Sequence, residues 1–292
     1  MMGVRACCVV AAVALVALIA YIRDAAVSGR VCFSQAAQDV FVVELLGKKQ
    51  GGVFVDVGAS DGITNSNSFM LEWWYGWHGV CIEPGSRYPL LRWMRPSCIN
   101  IGVPMSSIDR EVSFLRSTRT AEHSGIAETS PWAHSTDPRE GARRESVRAT
   151  TLNATLARWQ RTLWPEHVTA AVIHVDFLSL DTEGHEAEVL KGFPFERFAL
   201  RVLCVERSTS LALVRSLLKR STTLVHVGAI GADAVFVAPK LAHRARLLLS
   251  RGERESTPEI EASRLRIISA APLYGTAEAM AKRMLTFLHE WR

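Results

Sequence analysis

Two short runs of the chain end in carboxylates beside glycines, the pattern of a ligand site built at neighbouring strand ends. The first is Val53-Phe54-Val55-Asp56-Val57-Gly58-Ala59-Ser60-Asp61-Gly62 and the second is Gly79-Val80-Cys81-Ile82-Glu83-Pro84. Val53 to Val57 is apolar and mostly β-branched, as expected of a strand buried on both faces of a parallel sheet, and the glycines after it allow a sharp turn. Gly58 and Gly62 lack a Cβ, so the loop that also holds Ala59 can bring its backbone close to a ligand. Asp56 and Asp61 offer carboxylates to an amine or a hydroxyl, and Glu83 can accept both hydroxyls of a ribose. A third run, Phe177 to Glu186, delivers Asp181 and Glu183 from the end of an apolar strand, next to Gly184 and His185. Three roles are open to these acids: a general base toward a substrate hydroxyl, ligands of a divalent cation, or acids complementing a helix N-terminus. His185 is either a base or a helix-start residue.

This chemistry separates cofactors. A dinucleotide site needs G-x-G-x-x-G opening a helix for its phosphates, whereas this chain has D-x-G-x-x-D-G, with acid where phosphate would be repelled. A dinucleotide oxidoreductase is therefore disfavoured. S-adenosylmethionine carries an ammonium and a sulfonium and no phosphate, so it suits the acids. No C-x-x-C or clustered His/Cys pattern points to zinc.

Strand ends need a scaffold to bring them together. Apolar periodicity and glycine stops place helices over Gln35 to Leu46, Asn65 to Tyr75, Tyr88 to Met94, Leu152 to Leu163, Glu186 to Lys191 and Leu211 to Leu218. Strands are expected at Val53 to Val57, Gly79 to Glu83, Cys98 to Val103, Glu111 to Leu115, Ala171 to Leu180, Val202 to Val205, Leu224 to Val227 and Ala234 to Ala238. The alternation implies an α/β fold with a doubly wound, Rossmann-like sheet whose ligands sit beyond the carboxyl ends of the strands. From Arg116 to Arg148 the composition turns polar and reads as a mobile lid or a disordered insertion.

The ends of the chain set the expected compartment. Ala6 to Ile22 is uncharged and mostly apolar between Arg5 and Arg23, at the short end of what spans a bilayer as a helix. The positive-inside tendency leaves the amino terminus cytosolic, so an uncleaved signal anchor with a luminal body in the Golgi or endoplasmic reticulum is expected. Cleavage at Ala26-Val27-Ser28 would instead give a secreted protein. Residues 1–28 then form a cytosolic stub, anchor and stem, 29–240 the main domain, and 241–292 a helical, Arg-rich extension. Asn153-Ala154-Thr155 is the single N-glycosylation sequon and fits that compartment. Net charge is +5, but the arginines at 139, 143, 144 and 148 interleave with Glu140 and Glu145, as on a solvated face rather than a nucleic-acid stripe. Cys81 and Cys204 lie in apolar runs as small hydrophobes, which leaves Cys32 and Cys98 as the candidates for a disulfide.

Several separated motifs, in order, carry a resemblance. Ser34-Gln35-Ala36-Ala37-Gln38-Asp39, the Val53 to Asn67 loop, Trp77-His78-Gly79-Val80-Cys81-Ile82-Glu83-Pro84, and Asp176 to Phe195 resemble the FkbM family of S-adenosylmethionine-dependent methyltransferases. The last of these has a Leu-Ser-Leu-Asp-Thr-Glu-Gly core and a Val-Leu-Lys-Gly-Phe ending. The resemblance extends from about Ser34 to about Pro239, His226 to Val237 being similar to the family's terminal strand pair. It implies a class I methyltransferase sheet of seven strands with the last antiparallel. It also implies O-methylation of a hydroxyl on a sugar, glycan or other natural product. Asp56, Gly58 and Glu83 are then implied to contact the cofactor, and Asp181 and Glu183 to line the active site. Ala37 stands where the family usually has glycine, and the 116–148 segment is expanded. The expected partners are a small-molecule or glycan acceptor and, through the N-terminal helix, a membrane. The rival from another class is a non-catalytic, membrane-anchored luminal module for interaction or cargo handling that keeps the fold, against which the intact Asp56, Gly58 and Glu83 set weighs.

Overall fold

The computed structural model describes residues 32–117, 124–134, 142–167, 170–208 and 210–255. The apolar run at 6–22 and most of the 241–292 extension lie outside them, and among the described residues no helix is long and apolar enough to cross a membrane. In chain order the elements are α1 (Gln38–Leu45), β1 (Val53–Val57), α2 (Phe69–Tyr75), β2 (His78–Ile82), α3 (Tyr88–Met94), β3 (Ile99–Ile101), β4 (Arg110–Ser117), β5 (Gly125–Ile126) and β6 (Ala142–Ala149). They continue with α4 (Leu152–Leu163), β7 (Ile173–Leu180), α5 (Glu186–Lys191), β8 (Phe198–Glu206), α6 (Leu211–Ser221), β9 (Val225–Ile230), β10 (Asp233–Val237) and α7 (Ala242–Glu255). Compactness divides the chain after Leu248: the α/β unit precedes that point, and beyond it only the last turns of α7 are described.

Seven strands form one sheet in the order β3-β2-β1-β7-β8-β10-β9. The pairings from β3 to β8 are parallel, and β10 lies antiparallel to both β8 and β9. This is the parallel-dominated sheet with an antiparallel final strand expected from the sequence. Val53 to Val57 is buried at every position, because helices cover both faces. Leu152, Leu156 and Leu163 of α4, Val189 and Leu190 of α5, and Val214 and Leu218 of α6 pack on one face. α2 and α3 lie in the crossovers from β1 to β2 to β3, which the right-handed rule for parallel strands puts on the other. β8 starts earlier than the apolar run suggests: Arg201 reads as a break, yet its Nη1 reaches the buried Asp176 Oδ1 at 2.9 Å.

Two expectations are corrected here. In its described parts, the 116–148 segment is not plain disorder: β4 pairs antiparallel with β5 and β6 in a second, three-stranded sheet. Only one face of it is dry, where Val112, Phe114, Ile126 and Ala149 cluster, so charged residues on the other face mask the period-2 pattern. The disulfide is also not formed. Cys98 is a buried thiol whose Sγ lies 3.1 Å from Glu72 Oε2, and its contact with Cys81, together with burial, pushes its pKa up.

The Ser34 to Asp39 motif ties the chain's entry to the sheet. Asp39 accepts hydrogen bonds from Phe33 N at 2.8 Å, Ser34 Oγ at 2.6 Å and Val40 N at 2.8 Å, while Gln38 Nε2 donates to Asp233 Oδ2 at 2.9 Å. Between them Ala37 adopts φ 67 and ψ 29, a left-handed conformation that disfavours any Cβ and explains why glycine suits this place. Ala37→Gly is expected to stabilise the protein by about 0.5–1 kcal/mol, read as a higher urea midpoint at unchanged m.

Candidate functional site

β1 and β7 are neighbours, with Val57 opposite Leu180, but the chain leaves β1 toward β2 and β7 toward β8. The crevice at such a switch point, beyond the carboxyl ends of the strands, is where an open α/β sheet receives ligands. A cleft of about 300 Å³ lies there, within the range of small-molecule sites. Asp56, Gly58, Ala59 and Glu83 line it on one side, and Asp181, Glu183 and His185 on the other.

The glycine loop is shaped by close approach. Gly58 has φ 92 and donates its N–H to Ile82 O at 2.9 Å, and a Cβ there would stand 2.0 Å from the carbonyl oxygen of Asp181. Only glycine fits between the two strand ends. Asp56 is 3% exposed and accepts from Ser68 Oγ at 2.5 Å; burial raises its pKa against the pull of Ser68 and Arg95. Asp61 and Gly62 do not line the cleft. Asp61 is consumed by its own turn, accepting from Ile63 N at 2.9 Å, Thr64 N at 2.7 Å, Thr64 Oγ1 at 2.7 Å and Arg87 Nη1 at 2.9 Å. Gly62, at φ 84, instead lets the chain pass close to Arg95 and Leu91.

Glu83 sits just past the end of β2, 7% exposed, and accepts from Ser60 N at 3.0 Å and Gly85 N at 2.5 Å. Burial pushes its pKa up to about 7, although those amides and the charges of Arg116 and Arg87 oppose the shift. The small sheet borders this corner, contributing Phe114, Ser124, Gly125 and Ile126 to the lining.

Across the cleft is a row of acids. β7 and β8 are in register at Leu180 and Val205, and β10 sets Asp233 opposite Glu206, so three neighbouring strands bring Asp181, Glu206 and Asp233 to one edge. The side chains of Asp181 and Glu206 meet there. Burial first, then the charges of Glu206, Asp233 and Glu186, raise Asp181 well above the usual carboxylate range, and burial also lifts Glu206 to about 7. Two carboxyls this close resist ionising together, so the pair is both a potential acceptor and a potential donor. Among the described residues, Glu206 Oε2 and Asn67 Oδ1 are buried acceptors without a partner, and both residues line the cleft.

Glu183 adopts φ 56, and its Oε2 accepts from Trp132 Nε1 at 2.8 Å. His185 is 2% exposed with both ring nitrogens engaged, Nε2 with Ser106 Oγ at 3.0 Å and Nδ1 with Thr129 Oγ1 at 2.9 Å. Burial lowers its pKa, so it is neutral at pH 7 and anchors the loop to the small sheet. The helix-start role falls to Glu186, which accepts from Thr182 N at 3.1 Å, Gly184 N at 2.9 Å and Ser210 Oγ at 2.7 Å. Glu206, Asp233, Gln38 and Asn67 are cleft residues that pattern reading passed over. Glu206 directly follows an apolar run and Asp233 directly precedes one, and only the strand order brings them together. Among the described residues, no group of three or more His, Cys, Asp or Glu side chains is placed to hold a metal ion.

Comparison with curated proteins gives no match. The family model described as the methyltransferase FkbM domain matches residues 56–222, more than half of the chain. That span starts on Asp56 itself and takes in the Gly58 loop, Glu83, the Asp181 to Glu186 turn and Glu206. Most of the strands and loops that build the cleft, though not Gln38 or Asp233, thus lie in the part of the chain that the family model recognises, and the chain belongs to the FkbM methyltransferase family.

Proposed function

We propose that the protein transfers a methyl group from S-adenosylmethionine to a hydroxyl oxygen of a sugar, glycan or other natural product. The observation that carries this reading is the opposition, in one cleft, of the Gly58 loop and buried Glu83 to the Asp181–Glu206 pair. The residues fit the cofactor. The cleft is rich in acceptors, two of them unpartnered, and suits a ligand with an ammonium, a sulfonium and ribose hydroxyls better than one with phosphates. When bound, S-adenosylmethionine supplies a methyl carbon activated by its sulfonium. Glu83 would hold the ribose, the Gly58–Ser60 backbone would border the adenosine, Glu206 and Asp233 would face the ammonium, and Asp181 would face the acceptor. In-line displacement asks the protein to position the acceptor, exclude water and take one proton from the attacking hydroxyl. Asp181, at the end of β7 beside Glu206 and Asp233 and raised above the usual carboxylate range, is the group for the last task.

The compartment rests on the sequence. The 6–22 run reads as a membrane anchor with the catalytic body on the luminal side. The sequon's Asn153 is exposed at the start of α4.

Calorimetry is expected to show micromolar S-adenosylmethionine binding, weakened about tenfold by Glu83→Gln, as befits a lost hydrogen bond to a charged group. The carboxylate is the binding form of Glu83 and it titrates at about 7, so affinity should be highest above pH 7 and fall as pH drops through it. Glu83→Gln should flatten most of that slope, the remainder belonging to Glu206. A folded protein that binds no S-adenosylmethionine would return the chain to the non-catalytic module.

A further inference from the structure

Trp73 and Trp93 are exposed on the outer layer of the sheet, at 58% and 44%, with Leu90 at 43% beside Trp93 on the same helix. The other tryptophans among the described residues are buried or half-buried. The two helices are locked together, because Glu72 of α2 and Arg95 just after α3 form a buried ion pair. Trp73 neighbours that glutamate and Trp93 lies two residues before that arginine. Trp73 also ends a continuous aromatic cluster: its ring lies 5.5 Å from Phe69, which packs tilted against Phe33 at 4.8 Å, and Phe33 meets Trp74 at 5.0 Å. Arg92, exposed between Leu90 and Trp93, adds a cation.

Phe33 is where the chain enters the fold. The apolar run at 6–22 ends at Ile22, so the intervening chain, at about 3.3–3.6 Å per residue, keeps Phe33 within roughly 40 Å of that run even when fully extended. Tryptophan with arginine is the combination that settles at a bilayer's headgroup level, where the ring is half-buried and the charge stays wet. We propose that the exposed face of α2 and α3, comprising Trp73, Leu90, Arg92 and Trp93, rests in the headgroup region of the bilayer that holds residues 6–22. This rests on the reading of that run as an anchor and is independent of the methyl-transfer chemistry.

The full chain, reconstituted into phosphatidylcholine vesicles with or without bromine on the acyl chains near the headgroups, tests this by tryptophan quenching after flotation. Brominated lipid should quench part of the emission, and Trp73→Phe with Trp93→Phe should remove about half or more of the quenched part. Trp159→Phe, on the α4 face of the sheet, should leave it unchanged. Flotation with the quenched part unaltered in the double variant would overturn the proposal while sparing the anchor. A change of oligomeric state in that variant at unaltered quenching would overturn it in favour of a second copy of the chain. Failure of the wild-type chain to float would overturn both anchor and patch.

Discussion

Asp181→Asn is expected to lower turnover by about a hundredfold or more while leaving S-adenosylmethionine affinity within about twofold. Asparagine keeps the shape and can hydrogen-bond Glu206, but it cannot take a proton from the acceptor. The loss should fall on kcat rather than on cofactor binding, because the ribose and adenosine contacts lie across the cleft at Glu83 and Gly58. A damaged fold is not the anticipated cause. A carboxyl whose folded pKa is raised contributes stability that is complete below its unfolded pKa and is lost as pH rises through the folded value. Asp181 is therefore a liability to the fold at alkaline pH, and Asp181→Asn should leave the thermal midpoint at pH 8 equal or higher. Glu206→Gln is the companion test. Removing that neighbouring charge lowers the pKa of Asp181, so the base stays ionised to lower pH and the acid limb of kcat/KM should move to lower pH, with a loss of only about tenfold in rate. Equal loss of cofactor binding and turnover in Asp181→Asn would remove the residue from the chemistry and leave it a structural role.

The pattern of legibility depends on what each residue faces. β1, α3, α4 and α5 have the limits read from the sequence, because their apolar positions run unbroken or at clean helical spacing between turn residues. β8 was under-read, since Arg201 looks like a solvent residue until its partner Asp176, distant in sequence, is known. The second sheet was hidden for a related reason: β6 carries Arg143, Arg144 and Arg148 on a strand with a single dry face. The placement of Gly58, Glu83 and Asp181 around one cleft was legible from strand-end position alone. Asp61 was misplaced because D-x-G-x-x-D-G does not say which acid its own backbone will claim, although a following Ile-Thr pair with free N–H groups is the setting for such a turn. Glu206 and Asp233 required the strand order, which places β10 beside β8 and which no local pattern encodes.

Arg95→Met is expected to destabilise the protein by about 3–5 kcal/mol, the cost of leaving a buried partner charge uncompensated. Arg95 is fully buried. Its Nε pairs with Glu72, Nη1 donates to Gly62 O at 2.9 Å and Ser66 Oγ at 3.3 Å, Nη2 donates to Ser68 Oγ at 3.1 Å, and the guanidinium lies over Phe54 at 5.5 Å. Methionine fills much of the volume but satisfies none of those acceptors, and it strands Glu72 with Ser97 and Cys98 as its remaining partners. Pairing it with Glu72→Met removes the stranded charge, so the double variant should be more stable than Arg95→Met alone, a coupling that urea denaturation of the full cycle measures. A cost below about 1 kcal/mol for Arg95→Met would mean that water reaches Glu72 and that the pair does not clamp α2 to α3. The same network reaches the cleft, because Ser68, which accepts from Arg95, donates in turn to Asp56. Arg95→Met should therefore weaken cofactor affinity beyond what global unfolding accounts for, whereas Ala37→Gly, which touches only the chain's entry, should change stability without changing affinity.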